Sequence, residues 1–143
     1  MLTNQDRVHS VQQTLRVLFG VVPVVAGADK FLNLLTNWEQ YLNPTLERLL
    51  PFSTTTFMHI AGVIEIGAGL IVLSRFTTFG AYLVSAWLAL IAVSLLASGH
   101  FLDVAVRDLV MSATAYSLAI LSRVRQEQGS ANYKQATARA ITA

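Results

Sequence analysis

Residues 57–73 read FMHIAGVIEIGAGLIVL. The run is apolar enough to form most of a membrane span, yet it sets one carboxylate, Glu65, in its middle. The eight residues on either side carry no other side chain charged at neutral pH, apart from the titratable His59. A carboxylate at that depth is costly in lipid and therefore faces protein. On a helical wheel Glu65 shares its face with Met58, Ala61, Gly62, Ala68, Gly69 and Val72. Most of these are Ala or Gly, which let a neighbouring helix approach closely, so the pattern predicts a carboxylate pointing into a helix bundle.

The rest of the chain fits this setting. It has 143 residues, of which 54% are hydrophobic and 13% charged, and its mean hydropathy is +0.54. That balance lies outside the range of soluble domains and indicates a membrane protein. At about 20 residues per span there is room for about four spans with short connections, which predicts one all-α transmembrane domain, a four-helix bundle. With no cysteine, disulfides, thiolate metal sites, iron–sulfur ligation and a cysteine nucleophile are excluded.

The first span is expected over about 15–35. Between Arg16 and Asp29 only Val17 to Ala28 are uncharged, too few to cross, so the helix takes Asp29 and Lys30 with it, roughly 8 Å below its outer end. Pro23 is expected to kink it. The second and third spans are expected at about 55–74 and 79–98. The fourth, 103–123, must reach back to Asp103 and brings Arg107 and Asp108 to membrane depth; a re-entrant or surface helix over 104–121 is the rival reading. The small residues all round VMSATAYSLAIL favour the full span.

Seven of the ten basic residues, Arg7, Arg16, Arg75, Arg123, Arg125, Lys134 and Arg139, lie on one side of this arrangement. The positive-inside rule then places both termini in the cytoplasm of a multi-pass protein of the inner (plasma) membrane. The net charge of +2 and pI near 9.3 reflect these flanks, and no nucleic-acid partner is expected. Residues 1–14 read as a cytoplasmic interfacial segment capped by Thr3 or Asn4, without a signal-peptide cleavage site. Residues 124–143 read as a polar tail, mobile or ordered against a partner. Between the first two spans, Trp38 and Tyr41 suit the headgroup layer, and Asn43-Pro44 starts a short helix over 45–50 above the bundle's mouth.

Glu65 lies about 12 Å from the outer end of its span, in the same outer half as Asp29, Lys30 and Arg107. Neighbours on a helix do not face each other, so Asp29 and Lys30 each need a partner elsewhere. Pairing Lys30 with Glu65 and Asp29 with Arg107 leaves no charge alone, while Asp103 reaches Arg107 at i, i+4. His59, His100 and Asp108 fall near the same region. Two readings stand: ion pairs that staple the bundle, or a polar pocket for a quinone head group, a small anion or a proton. Metal ligation is not expected, and no haem is expected to be held by His59 and His100.

In AGADKF (26–31), GVIEIGAGL (62–70) and FLDVAVRD (101–108) the chain resembles the DoxX-like family of small four-helix membrane proteins, over about residues 15–123. Asp29 before the lysine departs from the family's simpler glycine–lysine pattern. The resemblance implies a four-helix bundle loosely associated with membrane redox systems. On that basis the chain is expected to be a non-catalytic subunit anchoring a larger respiratory or photosynthetic redox complex, in the bilayer and against other membrane subunits. The alternative is a protein that binds a quinone or small solute in its outer polar cluster. No cofactor is expected to be bound by the chain alone.

Overall fold

The computed structural model describes residues 4–142. They form α1 (Asn4–Leu32), a 3₁₀ turn (Trp38–Tyr41), α2 (Pro44–Leu49), α3 (Thr54–Leu73), α4 (Thr77–Ser98) and α5 (Leu102–Thr142). There is no strand among the described residues, so the chain is all-α. Three of these helices, α3, α4 and α5, are long and apolar enough to cross a membrane. Their starts lie within two residues of those expected from hydropathy.

Polar signals set the boundaries. Ser53 caps α3 by accepting from the Thr56 N–H, and Gly99, in the left-handed conformation, ends α4. Asn33, at φ 51°, turns the chain after α1. Asn43 accepts from the Thr45 N–H to start α2, as its place before Pro44 predicts, and its own amide donates to the Ser94 carbonyl. Thr54 and Thr55 donate to Glu47 and Glu39, so the long connection is fastened to the start of α3.

The four long helices pack chiefly as two antiparallel pairs, α1 with α3 and α4 with α5, joined along α3 and α4. Backbone contact makes the first pair. A Cβ added at Gly27 would stand 2.5 Å from the Gly62 carbonyl oxygen, and one at Gly62 would stand 2.6 Å from that of Gly27. Gly69 meets the Gly20 carbonyl in the same way. The second pair is fastened by reciprocal serines: Ser85 Oγ donates to the Ser112 carbonyl at 2.9 Å and Ser112 Oγ to that of Ser85 at 2.8 Å. Small residues thus bring the helices together in both pairs. The core between them contains Phe19, Val72, Val84 and Leu118 with four alanines.

Three expectations are corrected. The segment 1–14 is not separate from the first span: from Asn4 onward it belongs to α1, which continues through Pro23, while Thr3 lies outside the described residues. Residues 124–142 continue α5, a single helix of 41 residues, instead of a loose tail. Ala, Gln, Lys and Arg are strong helix formers, and Arg123 pairs with Glu127 one turn on at 3.1 Å. Arg16, read only as a flanking charge, caps the end of α3. Its guanidinium donates to the carbonyls of Val72 at 3.2 Å, Leu73 at 2.5 Å and Ser74 at 2.9 Å, which have no partner inside the helix.

Candidate functional site

The wheel drawn around Glu65 matches the folded helix residue for residue: the buried positions of α3 are Met58, Ala61, Gly62, Glu65, Ala68, Gly69 and Val72. Since Gly27 and Gly62 bring the backbones of α1 and α3 into contact, the next outward turn of α1 sets Lys30 beside Glu65. Its Nζ lies 2.6 Å from Glu65 Oε2, and both side chains are more than nine-tenths buried. Trp87 of α4 donates its indole N–H to the other carboxylate oxygen at 3.1 Å. The Lys30 ammonium also sits 3.7 Å from the centre of the Trp38 ring, at cation–π distance.

Trp38 links this pair to a second carboxylate. Its indole N–H donates to Asp29 Oδ2 at 2.7 Å. The backbone N–H groups of Leu34 and Leu35 donate to the same side chain at 3.0–3.2 Å. Asp29 therefore folds the chain back over the end of α1, and its charge is stabilised by N–H donors, with no ion pair to it among the described residues. The expected Asp29–Arg107 pair does not form. Arg107 turns outward to Asp103, one helical turn away at 2.6 Å, and both side chains are largely exposed. An exposed pair of this kind contributes at most about 1 kcal/mol.

The other expected site residues are dispersed. His59 is half-buried and stacks on Phe31 with ring centres 4.7 Å apart. His100 is exposed, its Nδ1 2.8 Å from the Ser98 carbonyl at the end of α4. Asp108 is half-buried on α5, within electrostatic reach of Glu65 and Lys30. The structure thus gathers Asp29, Lys30 and Glu65 into one buried chain of contacts, with Asp108 at its edge, and leaves Asp103, Arg107 and His100 at the surface.

Trp38 and Trp87 complete the chain, and sequence reasoning missed both roles. The sequence places Trp38 in the headgroup layer, and nothing in the apolar third span singles out Trp87. The available signal was chemical: an indole N–H buried in a membrane bundle needs an acceptor, and carboxylates were the acceptors on hand. Arranged in this way the five residues form an alternating series of indole N–H, carboxylate, ammonium, ring face and carboxylate. Such a series fixes helix positions strongly and holds each buried charge against a partner from the chain itself.

No protein-family model, curated protein or solved structure matches this chain.

Proposed function

We propose that the chain is a small four-span membrane subunit without chemistry of its own, which anchors or stabilises a larger assembly. The observation that carries this reading is the internal closure of the polar cluster: Asp29, Lys30 and Glu65 each meet partners within the chain. Apolar surface is correspondingly plentiful outside, with Val17, Val21, Val25, Phe79, Leu90 and Val93 all exposed for lipid or neighbouring subunits. The resemblance to DoxX-like proteins points to a redox complex of the plasma membrane as the assembly. Purification in mild detergent, followed by mass spectrometry and an absorption spectrum, tests this. Other membrane subunits are expected to co-purify in stoichiometric amount. A Soret band from the pure chain, lost on changing His59 or His100, would count against the reading.

On this reading α1 is the fourth span, and both termini are cytoplasmic. Reporter fusions after Ser74 and after Ala143 are expected to report the cytoplasm. A signal from the opposite side at either position would refute the four-span topology.

A quinone site is the second reading, and Asp108 favours it. This carboxyl group lies within electrostatic reach of the Lys30–Glu65 pair, half-buried, and among the described residues no hydrogen bond to it is seen. It would be the group to meet a polar head group entering between the helices.

A further inference from the structure

A second polar cluster lies at the opposite end of the bundle, where most of the basic residues gather. There a cleft of about 200 Å³ opens between α1, α4 and α5, lined by Gln12, Thr77, Ser122, Arg125 and Gln126. Gln12, Thr77 and Ser122 are each more than nine-tenths buried. Gln12 is anchored at both ends of its amide: Nε2 donates to Ser122 Oγ at 3.0 Å, and Oε1 accepts from the Arg125 guanidinium. Gln12 therefore holds Arg125 in place while occupying one of its five N–H donors.

Arg16 stands next to the same cleft. It lies one turn beyond Gln12, and it shares the carbonyl acceptors of Val72 and Ser74 with the Thr77 hydroxyl, which bonds them at 2.9 and 3.0 Å. Both arginines are half-buried, and among the described residues neither is within ion-pair distance of a carboxylate. Glu127, which follows Gln126 on α5, is taken by Arg123. The Arg125 guanidinium thus lines the cleft with donors to spare, while that of Arg16, spent on the end of α3, adds positive charge beside it. The cleft is level with the last residues of α3 and the first of α4, the ends of two helices long and apolar enough to cross a membrane; on the four-span reading proposed above, this is the level of the headgroups.

We propose that this cleft holds the phosphate of an anionic phospholipid. A guanidinium fork matches phosphate oxygens, and basic pockets between membrane helices suit anionic headgroups. Exposed Val11 and Phe79 on the adjoining helices offer apolar surface to its acyl chains.

The test uses the full chain in mild detergent and native mass spectrometry, with phosphatidylglycerol, phosphatidylcholine and inorganic phosphate as probes. Phosphatidylglycerol is expected to be retained in preference to phosphatidylcholine. Arg125→Gln is expected to weaken its retention about tenfold, the loss of a charge-assisted hydrogen bond, whereas Arg48→Gln at the far end leaves it unchanged. Displacement by excess inorganic phosphate would identify free phosphate as the source of the same anion; failure to displace identifies the lipid. A photoreactive phosphatidylglycerol provides a readout on the unaltered chain and is expected to label residues 122–126. Equal retention of the two lipids without displacement by phosphate, unchanged retention by Arg125→Gln, or labelling confined to other regions would overturn the proposal.

Discussion

Lys30→Met and Glu65→Gln are each expected to lower stability in detergent by about 3–5 kcal/mol, and the two changes together by less than the sum. Either single change strands the remaining partner. With Glu65 neutralised, the Lys30 ammonium loses its carboxylate and is left with the face of Trp38; with Lys30 removed, the Glu65 carboxylate loses its cation and is left with the Trp87 N–H. The double change removes both charges and leaves an amide that still accepts from Trp87. Thermal unfolding of the four proteins in one detergent measures the coupling. Additive losses would show that the pair contributes little of its own. Single changes that preserve stability but abolish quinone-linked activity of the assembly would favour the pocket reading over the staple.

Gly62→Val, or Gly27→Val, is expected to separate α1 from α3 and unfold the bundle in mild detergent. At both positions the first obstacle is a backbone carbonyl of the facing helix, which cannot rotate away. Even alanine is expected to cost about 1–3 kcal/mol as an overpacked contact. The damage reaches the ion pair, because a Cβ at Gly27 would also lie 3.1 Å from Glu65 Cβ and one at Gly62 lies 3.2 Å from Lys30 Cβ. Gly67, on the same helix with nothing within 4 Å of such an atom, provides the control. Gly67→Ala is expected to be neutral or to add up to about 1 kcal/mol through helix propensity. Equal melting curves for Gly62→Ala and Gly67→Ala would mean that the helices do not touch where described.

The buried face of α3 was legible because it depends on period and side-chain size alone. The Lys30–Glu65 pairing was legible from depth and charge count, which leave few alternatives inside a membrane. Asp29 was not, since its partners depend on a left-handed turn at Asn33 that brings the backbone of Leu34 and Leu35 and the Trp38 ring back over the helix end. Local geometry also decided Arg107, where a partner one turn away on its own helix prevailed over one on another helix. The length of α5 was missed for a different reason. Polar composition signals the absence of a core, but with one glycine among alanines and long side chains it does not prevent a helix from continuing. The capping role of Arg16 required knowing which helix end lies opposite, and no single helix carries that information.

The glycines at the first interface are seven residues apart on both helices, Gly20 and Gly27 against Gly69 and Gly62. That equal spacing makes the interface partly degenerate. Sliding α1 along α3 by two turns, roughly 10 Å, would again set glycine against glycine, as Gly27 against Gly69 or Gly20 against Gly62. Each slipped alignment keeps only one of the two glycine pairs, so backbone fit favours the observed register without fixing it. The charges fix it, because the slipped arrangements would leave Lys30 opposite Val72 or Met58 instead of Glu65. In this sense the ion pair acts as an indexing pin whose value lies in singling out one register. Uniqueness and stability then become separable: a chain freed of both charges would keep much of its resistance to unfolding while sampling more than one alignment of its first two long helices.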